Sequence, residues 1–131
     1  NETMWSPGGN AYVYFVYGMH WCFNVVAGQR GDPQAVLIRA LEPLLGADVM
    51  IDRRGRERDV ANGPARLCEA LAIDGELNEH PLWTPPLLLL DGTLKPGEEI
   101  GVSGRIGIRE ARDWPLRFFL AGHPDVSGSR S

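Results

Sequence analysis

Aromatic side chains are concentrated near the start of the chain, in the run from Tyr12 to Asn24 (YVYFVYGMHWCFN). Exposed aromatic rings on a sheet can stack on planar ligands such as nucleobases. The same run is also typical of a hydrophobic hairpin whose tyrosines lie at the core boundary. The residues alone favour that second interpretation, so stacking chemistry is a hypothesis that needs support from the rest of the chain.

A second candidate for chemistry is Arg39, which lies in the otherwise apolar segment Val36–Leu41. A guanidinium group in such a strand needs a partner, because an unpaired buried charge is costly. One interpretation is a structural salt bridge, for instance with Glu42. The other is a guanidinium that points into a polar site and contacts a ligand or a water molecule.

Several common chemistries are not indicated by the sequence. It contains neither a phosphate-binding loop nor a Gly-x-Ser-x-Gly nucleophile turn. Because its three histidines, His20, His80 and His123, are scattered, we expect no metal site, and no motif indicates an organic cofactor. The net charge of −4 argues weakly against nucleic acid, but 12 of the 13 cationic residues are arginines, which bind phosphate as planar forks.

Three strands in series must position these residues. Alternating β-branched and aromatic residues predict strands over Ala11–Val16 and Trp21–Ala27, with Gly18 in the turn between them. A third strand is predicted over Ala35–Leu41, and the short connections favour an antiparallel meander. Helices are predicted over Glu42–Asp52 and from Pro64 to about Ala72, with Asn62 as a capping residue.

Later strands are predicted over 87–90, 100–102, 105–108 and 116–120, in a single domain that ends in a flexible tail at 128–131. Together with the first three strands and the helices they predict an α+β fold: a curved antiparallel sheet or open barrel-like β core, with peripheral helices and a protruding β-hairpin.

Other features of the sequence restrict the kind of protein. The charged stretch 52–59 fits a solvated loop better than a phosphate-facing one. Cys22 and Cys68 are expected to be buried free thiols. No stretch is long and apolar enough for a membrane span, and no secretory signal is visible.

Motifs in a defined order connect this chain with a known family. Tyr12-Val-Tyr-x-x-Tyr-Gly-Met19, then Asn24, then the run from Val36 to Pro43 (VLIRALEP) closely resemble the alkyladenine (3-methyladenine-type) DNA glycosylases. The run from Asn62 to Ile73 is similar to that family's Gly-Pro helix. The runs 104–108 and 114–119 are similar to its last strands. The resemblance covers nearly the whole chain, and several separated motifs in order are more specific than any one of them.

The resemblance implies a role for the tip of the hairpin. An enzyme that acts on a stacked base must extrude it from the duplex and fill the gap. Tyr17 matches the residue that this family inserts into DNA from the minor groove. Met19 and His20 would flank it and contact neighbouring nucleotides.

The resemblance also implies a base pocket and a water site. Tyr14 matches a tyrosine that stacks on the flipped base, with a cation–π contribution when the base is cationic. Asn24 matches an asparagine that senses the purine edge, although a hydrogen-bonded sheet asparagine is the alternative. Arg39 matches an arginine beside the attacking water. Ile108 is a weaker candidate whose main-chain carbonyl would lie near the same water.

The family's general base has no counterpart in residues 1–131. In the family it is a glutamate in a segment upstream of the region that resembles this chain, so the domain is expected to be incomplete at its N-terminus. The alternative is a truncated relative that binds DNA without cutting it. Lys95, the one lysine, lies in a turn far from the hairpin in sequence, which disfavours a covalent imine. The prediction is therefore a monofunctional hydrolase that leaves an abasic site, acts as a monomer on double-stranded DNA with a damaged purine, and works in the cytoplasm, nucleoid or nucleus.

Two other functions remain open. One is a non-catalytic module that stacks single-stranded nucleic acid on exposed aromatics, and a preference for single strands would favour it. The other is a substrate-binding domain of a tRNA-modifying transferase, which rests on fold analogy alone. Lesion selectivity on duplex DNA would favour the glycosylase over both.

Overall fold

The computed structural model describes residues 8–28, 34–104 and 116–126, which form short antiparallel strands and two short helices. The strands are β1 (Ala11–Val16), β2 (His20–Ala27), β3 (Gln34–Leu37), β4 (Trp83–Thr84), β5 (Leu87–Leu88), β6 (Ile100–Ser103) and β7 (Arg117–Leu120). The helices are α1 (Ala47–Arg54) and α2 (Pro64–Ala70), followed by a 3₁₀ turn at Gly75–Leu77. The predicted α+β class is confirmed.

The largest sheet has the order β1-β2-β3 with antiparallel neighbours, which confirms the predicted meander. Its register places Tyr12 opposite Asn24 and Tyr14 opposite Cys22. The other strands pair as β4-β5 and β6-β7. Within the described parts of the chain the sheets do not close into a barrel, so the barrel-like detail is not confirmed.

The third strand is shorter than the sequence suggests. The β2–β3 pairing ends at Leu37, although the Ile38 amide still donates to the Phe23 carbonyl at 3.0 Å. The chain then leaves the sheet, since the Leu41 amide donates to Ala61 at 2.9 Å. Arg39 therefore lies just beyond the end of the strand.

The first helix begins later than predicted, at Ala47 instead of Glu42. Gly46 has a φ of 73°, a left-handed conformation that separates the helix from the preceding extended segment. The segment 42–45 stays outside the helix, and the Glu42 carboxylate contacts His123. At the other end the helix reaches Arg54, where Gly55 closes it with an amide that donates to Ile51 at 2.8 Å.

The second helix follows the prediction closely, with Pro64 at its first turn. Its N-cap, however, is Gly63, and no side chain caps it. The Asn62 side chain instead accepts a hydrogen bond from Arg66 Nη1 at 2.8 Å and donates one to Asp59 at 2.9 Å. Asn62 thus fixes the loop that enters the helix, without capping the helix itself.

The core lies between α2 and the first sheet, and its central residue is the fully buried Leu67. The segment after the 3₁₀ turn runs along the outer side of β1, where Asn78 Oδ1 accepts from the Val13 amide at 2.9 Å. The Ala11 amide also donates to the His80 carbonyl at 2.8 Å. These contacts hold the base of the first hairpin. The buried apolar residues are Ala11, Val13, Phe23, Ala61, Leu67, Cys68, Ala70, Ile73 and Leu82.

The predicted charged loop 52–59 is helical at its start, because residues 52–54 are the last turn of α1. There Arg54 pairs with Glu69 at 2.9 Å, and Arg53 donates to the Ala70 carbonyl at 2.9 Å. Residues 55–59 are exposed outside the helix, as expected of a solvated loop. The predicted strand 105–108, Ile108 and the predicted tail 128–131 lie outside the described residues. None of the helices in the described ranges is long and apolar enough to cross a membrane.

Candidate functional site

The first hairpin projects Tyr17 from its tip, as predicted. Tyr17 and Gly18 both have positive φ, 54° and 64°, and the Met19 amide donates to the Val16 carbonyl at 3.1 Å. This is the pattern of a type I′ turn, which matches the twist of the flanking strands. A bulky aromatic residue is an unusual occupant of the left-handed region. Tyr17 is 91% exposed, so burial of its ring within this chain does not compensate for that strain.

One face of the hairpin carries a polar aromatic cluster. The rings of Tyr12 and Tyr14 lie 5.1 Å apart with a tilt of 37°. Asn24, only 5% exposed, donates from Nδ2 to the Tyr12 carbonyl at 3.2 Å and hydrogen-bonds the side chain of Tyr14. Cys22 also hydrogen-bonds Tyr14. The Asn24 amide therefore orients Tyr14. This is the arrangement expected of a hydrogen-bonded sheet asparagine, which was the alternative interpretation of Asn24.

The surroundings of Tyr14 and Cys22 favour the uncharged form of both side chains. Burial is the largest cause that raises the pKa of Tyr14 above its ordinary value, and neighbouring Cys22 adds to it. Burial also raises the pKa of Cys22, while hydrogen bonding to Tyr14 and the charge of Arg39 act in the opposite direction. Tyr14 thus presents a neutral ring and a fixed hydroxyl.

Arg39 is partly buried, and it does not form a salt bridge with Glu42, the partner that one interpretation suggested. The Nε–H group of Arg39 is buried without a hydrogen-bond partner among the described residues. Glu42, the suggested partner, instead contacts His123. Burial, and secondly the positive charge of Arg117, lower the pKa of Arg39 from its ordinary value. The guanidinium is therefore held in a costly position without a compensating carboxylate from Glu42.

Tyr14 and Arg39, assigned separately from the sequence, line the same cavity. It has a volume of about 810 Å³ and lies between the segment 34–42 and the segment 116–126. Cavities of ~300–1,000 Å³ with a few converging polar groups are typical small-ligand sites. Asn24 hydrogen-bonds Tyr14 but is not among the residues that line the cavity. Met19 and His20 instead border a second, smaller cavity of about 210 Å³, with Trp21, Cys68 and Asp74.

Sequence reasoning missed Arg117, which lines the same cavity as Arg39. Arg117 is 5% exposed, donates from Nη1 to Ser103 Oγ at 3.0 Å, and lies over the Phe119 ring with Cζ 4.3 Å from its centroid. Gly101 faces Phe119 across the strand pair, where a Cβ would lie 2.5 Å from the ring. The sequence feature that could have identified Arg117 is the same as for Arg39, an arginine within an otherwise apolar strand.

The cavity also contains a cluster that brings distant residues together: Glu42, His123 and Asp125. The Asp125 amide donates to His123 Nδ1 at 3.0 Å, so the ring proton lies on Nε2, which contacts Glu42 Oε2 at 2.5 Å. Ligand atoms of all three residues lie within 4.8 Å of one another, a spacing that could hold a metal ion. Both ring nitrogens are already engaged, and the contact fastens the 121–126 turn to the end of the β3 segment.

The two cysteines are buried free thiols, as predicted, with Cys22 8% and Cys68 1% exposed. Burial raises the pKa of Cys68 to about 12. A folded pKa above the unfolded value contributes stability at neutral pH that is lost as the pH rises toward 12.

We expect both thiols of the native protein to resist modification. At pH 8 a thiol with a pKa of about 12 has ~10³-fold less thiolate than an ordinary one, and the thiolate is the reactive form. Reaction with Ellman's reagent should therefore be at least ~10²-fold slower in the native protein than in denaturing urea, where both thiols react. Fast modification of either thiol without urea would contradict the burial described above.

The chain is similar over nearly its whole length to members of one protein family. A family model described as methylpurine-DNA glycosylase (MPG) matches residues 1–124. A protein of Carboxydothermus hydrogenoformans named "Putative 3-methyladenine DNA glycosylase" is 49% identical over 130 residues, which are 97% of this chain and 68% of that protein. Proteins of the same name from Methanoculleus marisnigri and Agrobacterium fabrum are each 45% identical over 97% of this chain, which corresponds to 69% and 64% of their lengths. The chain thus spans about two thirds of these curated relatives.

Proposed function

Since this chain belongs to the methylpurine-DNA glycosylase family, we propose that it forms the DNA-contacting and base-binding part of a DNA repair glycosylase. The enzyme flips an alkylated or otherwise modified purine out of duplex DNA and hydrolyses its N-glycosidic bond, leaving an abasic site. The observation that carries the proposal is the hairpin itself. It presents an almost fully exposed tyrosine at its tip, and Tyr14, three residues earlier, lines a cavity shared with Arg39.

In the proposed complex Tyr17 fills the gap left by the extruded nucleotide. Extrusion costs a few kcal/mol of stacking and pairing, and an inserted ring recovers part of it by stacking on the neighbouring bases. The turn supports this role, because a left-handed tyrosine between paired strands has few alternative backbone conformations. Met19, 67% exposed, and His20 flank the ring and contact adjacent nucleotides.

Tyr14 is proposed to stack on the flipped purine. Its neutral ring attracts a base made cationic by alkylation through a cation–π contribution of ~0.5–2 kcal/mol. Such a base is also a better leaving group, so selectivity lies partly in the substrate. Asn24 is proposed to sense the purine edge, and its contacts with Tyr12 and Tyr14 also orient the stacking ring.

Arg39 is proposed to position the attacking water. The water adds to the sugar C1′ as the bond to the base nitrogen breaks, and the bonding electrons leave with the base. The water proton must pass to a carboxylate within hydrogen-bonding reach. Glu42 is a poor candidate for that base, because its Oε2 already accepts from His123. We propose a base outside residues 1–131, and the Ile108 carbonyl stays a weaker proposal for a further water contact.

The proposed enzyme is monofunctional and acts as a monomer wherever the cell keeps its DNA. Water, not an amine, is proposed as the nucleophile, because the one lysine of residues 1–131, Lys95, lies in an exposed turn outside the cavity lining. No metal ion or organic cofactor is needed for this displacement. Treatment with borohydride during the reaction should therefore trap no covalent protein–DNA complex.

Single-turnover release of the base tests this function. The full-length protein should release ethenoadenine or a methylated purine from a duplex that carries one such lesion, and leave the undamaged duplex intact. The abasic product should break only after alkali treatment. Absence of release, together with tighter binding to single strands than to duplex, would contradict the proposal and favour the binding-module alternative.

A further inference from the structure

The tip of the first hairpin extends beyond the third strand of its sheet. Among the residues that the structure describes, β3 pairs with β2 only over Asn24–Ala27, at the base of the hairpin. Nearer the tip, where Phe15 is opposite Trp21, the described sheet consists of β1 and β2 alone. A two-stranded hairpin by itself is at best marginally stable in water. A tip that holds an exposed ring in place therefore needs contacts outside the sheet.

Trp21 supplies such a contact on one face of the hairpin. Its ring lies against Phe15, its partner on β1, with ring centroids 4.7 Å apart and a tilt of 50°, a favourable geometry for two aromatic rings. Trp21 also packs against the core cluster around Leu67, whereas Phe15 stays half exposed. Phe15 and its neighbour Tyr14 point to opposite faces, because side chains alternate along a strand. The Trp21 contact thus lies on the face away from the proposed base pocket.

The far edge of the Trp21 ring meets the chain at Gly75. A Cβ added to Gly75 would lie 2.8 Å from Cη2 and 3.1 Å from Cζ3 of the indole. Gly75 does not have a positive φ, so its backbone conformation is open to any residue. The close approach of the ring is therefore what requires glycine at this position.

The segment that carries Gly75 is fixed to the rest of the protein on both sides. Before it, the Ile73 amide donates to the Cys68 carbonyl of α2 at 2.8 Å. After it, Asn78 Oδ1 accepts from the Val13 amide at 2.9 Å. A ring that packs on this segment is therefore held by the core of the protein and not by the hairpin alone.

The geometry points to a support for the hairpin: we propose that Trp21, packed on Gly75, holds the tip so that the Tyr17 ring enters the duplex in one orientation. A tip that bends freely loses conformational entropy when it inserts, and a supported tip loses less. Trp21 does not line the cavity of Tyr14 and Arg39, so it is a positioning residue that acts through Tyr17.

The inference rests on the proposed role of Tyr17 in filling the gap left by the flipped nucleotide. Extrusion of a base from a duplex should then depend on the contact between Trp21 and Gly75. Hydrolysis of a base in a single strand should not depend on it, because no gap has to be filled there. This difference between the two substrates separates a positioning role from a general loss of structure.

Gly75→Ala tests the support without removing a side chain, because the added methyl group must displace the Trp21 ring. In the full-length protein, with enzyme in excess, we expect release of ethenoadenine from paired DNA to fall ~10-fold and release from a single strand to change less than ~2-fold. Gly92→Ala is the matched control: Gly92 has no positive φ, and a Cβ there meets nothing within 4 Å. Both rates of this control should stay within ~2-fold of the wild type.

Two further backgrounds show whether Gly75→Ala acts through the two rings. Phenylalanine lacks the Cη2 and Cζ3 atoms that the methyl group would meet, so Gly75→Ala should slow release less in Trp21→Phe than in the wild type. In Tyr17→Gly the same change should slow release from paired DNA no further, because the ring that it displaces is absent. Equal losses on paired and single-stranded lesions, no loss on either, or full additivity with Tyr17→Gly would overturn the inference.

Amide hydrogen exchange measures the support without catalysis. The Met19 amide, which donates to the Val16 carbonyl at the tip, should exchange at least ~10-fold faster in Gly75→Ala than in the wild type, and at an unchanged rate in Gly92→Ala. Unchanged exchange in Gly75→Ala would overturn the support, whether or not the protein releases a base. Faster exchange together with no base release by the wild type would instead contradict the proposed function and leave the structural support standing.

Discussion

Replacing Arg39 by methionine should slow single-turnover base release ~10²–10³-fold without lowering the stability of the fold. The loss follows from removing a preorganised donor beside the reacting atoms, an effect of this size in other enzymes. Methionine keeps most of the aliphatic stem, so the packing of the side chain changes little. The assay is release of ethenoadenine from duplex DNA by the full-length protein with enzyme in excess.

The stability half of this prediction distinguishes a catalytic from a structural arginine. The Arg39 Nε–H is buried without a partner among the residues that the structure describes, so its removal leaves no acceptor there unpaired and relieves a desolvation cost. The free energy of unfolding in urea should stay equal or rise. A structural arginine would give the reverse, with a fall of ~3–5 kcal/mol as for a broken buried ion pair. Glu42→Gln is the matched control, because Glu42 lines the same cavity and contacts His123; we expect release to change less than ~10-fold.

The first hairpin was predictable because local rules determine it. Alternation of residue types sets the faces of β1 and β2, and Gly18 supplies a positive φ at the turn. The side-by-side placement of Tyr12 and Tyr14 follows from the period of two in a strand. Burial of Cys22 and Cys68 follows from their apolar surroundings.

The element boundaries were less predictable because tertiary contacts decide them. The apolar pattern continues through Leu41, but β3 ends at Leu37 where the chain turns toward Ala61. A helix from Glu42 fits the composition, yet the left-handed Gly46 delays it to Ala47. Local propensity does not predict the end of β3 or the start of α1, since the groups that determine them lie far away in the sequence.

The residues of the cavity show the same difference between what local sequence predicts and what tertiary contacts determine. Tyr14 and Arg39 could be proposed because each stands out against its own segment. The contact between Glu42 and His123 joins positions 81 residues apart and has no local signal. Arg117 had the same local signal as Arg39, an arginine within an apolar strand, and its importance becomes apparent only once the fold places both on one wall. The sequence pattern therefore indicates candidates, and the fold decides which of them act together.

Replacing Tyr17 by glycine should reduce base release from duplex DNA ~10²-fold and leave the stability of the protein nearly unchanged. The ring is 91% exposed, so its removal costs little packing within the protein. Glycine adopts a φ of 54° without the strain that tyrosine bears there, and its greater freedom in the unfolded chain offsets the gain. The free energy of unfolding should change by less than ~1 kcal/mol.

The substrate dependence of this defect identifies its cause. If Tyr17 fills the gap left by the flipped nucleotide, the variant should lose most activity on a paired lesion and much less on a lesion in a single strand, where no gap has to be filled. Trp83→Ala is the matched control: Trp83 is 64% exposed on β4, outside the hairpin and both cavities, and the change should leave release within ~3-fold of the wild type. An equal loss on single-stranded and paired lesions would place Tyr17 in the base pocket and contradict its role as a wedge. The ratio of the two rates thus separates extrusion of the base from its chemistry, which no measurement of binding alone can do.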